Sequence, residues 1–129
     1  ARAGGSTPLM VGDRLDTDIE GARRMGWHSL LVLTGVTDLE VLSAALPHER
    51  PSYIGLDLRD LHRPHQAPTP AASGGWGVGG WRASVAEGKL RVTGEGSVQD
   101  WWRCAACAAW EHLDTQGTVV DTGSVRAPR

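Results

Sequence analysis

Short apolar runs alternate with helix-like stretches through the first half of the chain. Leu9 to Val11 is apolar and stops at Gly12 and Asp13. Thr17 and Glu20 have capping-box spacing, which predicts a helix starting at Asp18. Ile19, Ala22 and Met25 continue it at helical intervals, and Gly26 is a C-terminal stop. Leu30 to Leu33 is a continuous apolar run of strand length, the pattern of a parallel strand covered on both faces. Thr34-Gly35 breaks it. Thr37 and Glu40 repeat the capping-box spacing, and Leu39, Leu42 and Leu46 give a stripe that Pro47 ends. Tyr53-Ile54 reads as a short strand, and Asp57 to His62 as one or two helical turns. Strand–helix alternation on this scale predicts an α/β layer with a parallel sheet.

The second half has a different rhythm. Arg63 to Gly75 is a linker by composition, with three prolines and a Ser-Gly-Gly. Gly80 to Val85 and Lys89 to Thr93 read as two strands joined by a Glu87-Gly88 turn. Ser97 to Leu113 reads as a helix with Val98, Trp101, Trp102, Ala105, Ala108 and Ala109 on a broad apolar face. From Asp114 onward the pattern is that of a flexible tail.

Composition narrows the function classes. The chain has 129 residues and a formal net charge of −2, so no broad attraction to nucleic acid or to an anionic membrane is expected. No apolar run has the length needed to span a bilayer, and a cytoplasmic setting is the default expectation. The two cysteines, Cys104 and Cys107, make no disulfide framework.

The chemistry concentrates at the end of the first strand. Asp13 and Asp18 fall at the carboxyl end of a parallel strand, where open α/β sheets collect ligands. Magnesium takes hard oxygen ligands and few protein carboxylates, a role that suits Asp13; its plain alternative is a loop or helix-capping carboxylate. Asp18 would orient a metal-bound water or cap helix amides. Asp16 reads as a solvated carboxylate. Gly12 lets the backbone pass close to the metal, and Thr17 reads as a cap more readily than as a ligand. Thr34, Gly35 and Thr37 border the same crevice, with loop geometry favoured over substrate contact.

Cys104-x-x-Cys107 lacks a second pair, and His112 alone does not complete a zinc site, so two packed cysteines are favoured. The tryptophans Trp76, Trp81, Trp101, Trp102 and Trp110 are read as packing residues, against another domain or a second subunit, ahead of a base-stacking platform. The five histidines show no metal spacing.

The block Met10-Val11-Gly12-Asp13-Arg14-Leu15-Asp16-Thr17-Asp18 resembles the last acidic motif of the haloacid dehalogenase (HAD) phosphatase superfamily. More narrowly it resembles the class IIA branch of 4-nitrophenylphosphatase, phosphoglycolate and glycerol-3-phosphate phosphatases. The likeness runs on through Gly26 to Thr37 and Pro51 to Leu58, about residues 8 to 63 in all. It implies that Asp13 and Asp18 hold a catalytic Mg2+, with Gly12, Thr17, Thr34 and Gly35 at the active-site border. It also implies a phosphoaspartyl intermediate and a small phosphate monoester as substrate. The family nucleophile, an Asp-x-Asp-Gly after an apolar run, has no counterpart here: Asp16-Thr17-Asp18 does not follow a buried strand. The phosphate-binding lysine has none either, since Lys89 falls outside the matching region.

The sequence therefore reads as the C-terminal part of a HAD-like Rossmannoid three-layer parallel sheet, followed by a small β-hairpin plus helix extension of the kind seen in actinobacterial members. The divisions are 1–63 for the core portion, 64–75 for the linker, 76–114 for the ββα extension and 115–129 for a flexible tail. The N-terminal core and cap domain are the missing partners, and the fragment alone is expected to be inactive. The competing reading is a non-catalytic α/β module whose tail serves assembly or regulation.

Overall fold

The computed structural model describes residues 8–63, 65–72 and 74–128. They form two compact units. The described residues up to Asp38, with Ala45–Arg63, make the first; Leu39–Ala44 and the described residues after Arg63 make the second.

The first unit is a three-stranded parallel sheet in the order β1-β2-β3: β1 is Leu9–Gly12, β2 is His28–Val32 and β3 is Tyr53–Gly55. Val11 lies opposite Leu30, and Leu31 opposite Ile54. Leu30, Leu31 and Ile54 are buried, as the apolar run in β2 requires. Between β1 and β2 the helix begins earlier than predicted. Leu15–Ile19 is a wide π-helical turn, with the Ile19 amide reaching Arg14 O, and it continues into helix α1, Glu20–Arg24. Leu15, Ile19 and Ala22 are buried, whereas Met25 is 63% exposed and lies past the helix end. Gly26, at φ +72°, turns the chain into β2.

The predicted capping box of Thr17 and Glu20 does not form. The helix starts ahead of Thr17 with no side-chain cap, and Glu20 pairs instead with Arg24 one turn on, at 3.0 Å. Beyond β3, Asp57 caps a 3-10 turn over Leu58–His62 by accepting the Arg59 amide at 2.9 Å. The Arg59 guanidinium and amide hydrogen bonds hold the Asp57 carboxyl at about 2.

The second unit is an antiparallel four-stranded sheet in the order β4-β5-β6-β7, covered by one long helix. Its strands are β4 Thr69–Pro70, β5 Trp76–Val78, β6 Trp81–Ala86 and β7 Lys89–Gly94. The predicted hairpin is present as β6 and β7. Glu87 and Gly88 both have positive φ, +54° and +75°, as a tight two-residue hairpin turn demands. β4 and β5 extend the sheet beyond the hairpin, and β4 lies in the segment whose composition reads as a linker. Helix α3, Val98–Gln116, starts at a Ser97 cap whose Oγ accepts the Asp100 amide at 3.1 Å.

The core of this unit gathers Val78, Ala83, Leu90, Trp101, Cys104, Ala105, Ala108, Ala109 and Val120. Val120 belongs to the stretch expected to be a flexible tail. That stretch is tied to the hairpin turn: the Asp121 amide donates to Gly88 O and the Leu90 amide to Asp121 O, at 2.8 and 2.9 Å. Helix α2, Leu39–Ser43, also belongs here, with Leu42 fully buried and its carbonyl accepting Trp110 Nε1–H at 2.8 Å. Leu46, predicted to continue the stripe, lies beyond the end of α2. It is 49% exposed and already extended, the conformation imposed on a residue before proline. No helix among the described residues is long and apolar enough to cross a membrane.

Candidate metal centre

β1 delivers Asp13 to the carboxyl end of the parallel sheet, and β2 delivers Thr34 beside it. Thr34 Oγ1 donates to Asp13 Oδ2 at 2.9 Å. Thr37, three residues on, donates through Oγ1 to Asp13 O at 2.7 Å. The carboxylate of Asp18 folds back from the wide first turn of the helix. Its Oδ2 accepts the amides of Asp13 and Arg14 at 3.2 and 3.3 Å. Glycine at position 12 makes this possible, because a methyl group there would overlap the Asp18 side chain. π-Helical turns are rare and recur at functional sites; here the wide turn carries the residue that clamps the loop.

Asp13, Asp18, Gly12 and Thr34 are thus brought together. Thr17 and Gly35 are exposed, and neither bonds to the two carboxylates. Asp16 makes an exposed pair with Arg14 at 3.2 Å, matching its reading as a solvated carboxylate. Thr37 is the residue whose part the sequence reading missed. Its spacing to Glu40 suggests a helix cap, whereas its hydroxyl proton goes to Asp13 O and the side chain is buried. Nothing local in the sequence signals a bond across 24 residues.

A donor set of carboxylates and hydroxyls, without nitrogen or sulfur, fits magnesium. Among the described residues Asp13 Oδ1 receives no hydrogen bond, so one hard oxygen remains for a cation. No group of three acidic, histidine or cysteine ligands occurs among the described residues. A cation here would take its other ligands from water, substrate phosphate or further protein groups.

The other candidates resolve into packing. Cys104 is buried and its thiol donates to Trp76 O at 3.1 Å; burial pushes its pKa up. Burial likewise pushes Cys107 up to about 11, the opposite of a metal-binding or reactive thiol. Trp101 is buried, and Trp102 meets it edge-on with ring centroids 5.6 Å apart.

Residues 2–61 match the HAD-hydrolase-like family. The D-glycerol 3-phosphate phosphatase of Mycobacterium tuberculosis is 41% identical over an alignment of 144 positions covering 98% of this chain and 38% of that protein. The chain thus spans about two-fifths of that relative's length. A crystal structure of glycerol phosphate phosphatase from the same organism, in complex with magnesium, superposes with a TM-score of 0.64 at 43% identity. It covers 80% of this chain and 30% of that one. The calcium complex gives 0.63 at 40% identity, over 82% and 32%. Residues 2–61 are thus HAD-hydrolase-like, and the chain is a homologue of glycerol phosphate phosphatase, corresponding to a C-terminal portion of it.

Proposed function

We propose that this chain is the C-terminal portion of a magnesium-dependent phosphatase that hydrolyses small phosphate monoesters, glycerol 3-phosphate among them. The observation that carries this is the Asp13 carboxylate at the end of β1, held on Oδ2 by Thr34 and, among the described residues, receiving no hydrogen bond on Oδ1. In this reading residues 1–63 are core and 76–114 an extension that contributes no reacting group. Asp13 binds the cation directly. Asp18 holds the Asp13–Arg14 backbone through Oδ2 and leaves Oδ1 to orient a metal-bound water. Magnesium, when bound, neutralises charge between the nucleophile and the phosphoryl oxygens. The nucleophile is an aspartate outside this chain, which takes the phosphoryl group as an acyl phosphate while the substrate alcohol leaves, before water releases inorganic phosphate.

The test uses the full-length protein that contains this chain. Asp13→Asn should lower turnover of glycerol 3-phosphate by about 100-fold or more, the scale of losing a charge-stabilising group. Asp16→Asn should stay within about twofold, as an exposed pair implies. Equal losses at both positions would overturn the assignment of Asp13. The 129-residue chain alone should leave 4-nitrophenyl phosphate intact in magnesium. Turnover by this chain that Asp13→Asn abolishes would refute an external nucleophile.

A further inference from the structure

Asp13 is restrained from two directions by one loop. Thr34 and Thr37 lie just past the end of β2, yet both spend their hydroxyl protons on a residue more than 20 positions earlier in the chain. Thr34 Oγ1 engages the side chain, at Oδ2, and Thr37 Oγ1 engages the main chain, at Asp13 O. Thr37 is 4% exposed, so its hydroxyl cannot turn to solvent if that bond is lost.

Asp18 holds the same peptide segment on its amide side, through the amides of Asp13 and Arg14. The Asp13 backbone is therefore gripped at both N–H and C=O. Thr34 occupies the carboxylate Oδ2, and among the described residues Oδ1 receives no hydrogen bond. The partners that orient a metal ligand commonly matter 10- to 100-fold for metal affinity.

We propose that Thr34 and Thr37 are positioning residues for the cation site. Thr34 selects which carboxylate oxygen of Asp13 meets the metal, and Thr37 fixes the backbone from which that carboxylate springs. The metal part of this inference rests on the function proposed above; the positioning part does not. The hydroxyl is the required group in both cases, so serine keeps the role and valine, similar in shape, removes it. The two residues differ in reach. Thr37 acts on the loop whether or not a cation is present, whereas Thr34 acts on ligand orientation.

Two measurements on the full-length protein that contains this chain test this. The first needs no metal: hydrogen exchange of the Asp13 and Arg14 amides, which Asp18 holds. Thr37→Val should speed it by about three- to tenfold, the scale of one net hydrogen bond, while Thr37→Ser leaves it near the parent rate. Unchanged exchange in Thr37→Val would overturn the role of Thr37, and equal acceleration in the serine variant would reduce it to packing.

The second is titration with manganese(II), read by paramagnetic broadening of the Gly12–Arg14 amides. Thr34→Val should weaken the response about tenfold or more, and Thr34→Ser by no more than about twofold. Thr34→Val binding manganese as the parent does would overturn the role of Thr34. Asp13→Asn is the control for the underlying reading. If it binds manganese like the parent, Asp13 is not the ligand and the proposed function fails at this site, taking the role of Thr34 with it. The exchange result for Thr37 still decides that residue by itself.

Discussion

The two units solve opposite problems. The parallel unit is built from strands of three to five residues and short helical segments, the longest running from Leu15 to Arg24. Its distinctive bonds run between side chains and loop backbone: Asp18 to the Asp13 and Arg14 amides, Thr37 to Asp13 O, and Asp60 to the Leu56 amide at 2.7 Å. The antiparallel unit has strands of up to six residues and a helix of 19. It closes a single apolar cluster under that helix, with Trp101 and a run of alanines at its centre. One unit invests in holding polar atoms at strand ends; the other invests in burial. The proposed cation site is in the first, and open α/β sheets gather ligands at the carboxyl ends of parallel strands. The antiparallel unit has no such end, and its cysteines are packed.

Asp60 repeats the theme within the first unit. It is 2% exposed, and a methyl group on Gly55 at the end of β3 would meet it, as one on Gly12 would meet Asp18. Twice, then, a strand ends in a glycine that leaves room for a carboxylate holding the next loop.

The largest effect expected from breaking this contrast is at the centre of the burial-driven unit. Trp101→Ala should destabilise that unit by about 3–5 kcal/mol, the range for deleting a buried aromatic. Urea unfolding followed by far-UV circular dichroism checks it. A loss under about 1 kcal/mol would show that the alanine face, not the indole, holds the helix down.

A smaller loss is expected where the first unit depends on space. Gly12→Ala should cost about 1–3 kcal/mol, as overpacking does, because the new methyl displaces the Asp18 side chain. Its signature is faster exchange of the Asp13 and Arg14 amides together with a weaker manganese response. A fully stable variant with both readouts unchanged would mean that Asp18 is not clamped against the strand end.

The smallest effect concerns the cysteines. Burial raises the Cys107 pKa to about 11, so folding disfavours the thiolate. The stability this group contributes is complete below its unfolded pKa of about 8.5 and is lost as the pH rises through about 11. Cys107→Ala should remove that alkaline loss. At pH 8, iodoacetamide should modify Cys107 in the folded chain about tenfold or more slowly than in the unfolded chain. Equal rates would show an accessible thiolate and reopen a reactive role.

Much of the layout was legible because it is local. The apolar run of β2, the Glu87-Gly88 turn, the Ser97 cap and the alanine–tryptophan face of α3 are each written within a few residues. The helix over Leu15–Ile19 was read late by three residues. Thr17 offered a capping-box spacing, but the Asp18 carboxylate took the loop amides instead, and the turn widened around it. β4 and β5 were invisible for a related reason. Two- and three-residue strands beside prolines and glycines carry no alternation to read, and only pairing defines them, β4 with β5 and β5 with β6.

The order of residues by itself determined that Asp13 stands at a strand end, that a glycine precedes it, that Asp18 follows at a helix start, and that the chain carries a HAD-like acidic motif. Each of these follows from spacing and polarity along a short segment. Tertiary structure alone decided that Thr34 and Thr37 reach Asp13, that Met25 and Leu46 leave the core while Val120 joins it, and that Leu42 is held by Trp110. These are contacts between positions 20 to 70 apart. Local pattern sets which face of an element is apolar, but hydrogen bonds across such distances depend on how the sheets and helices come together.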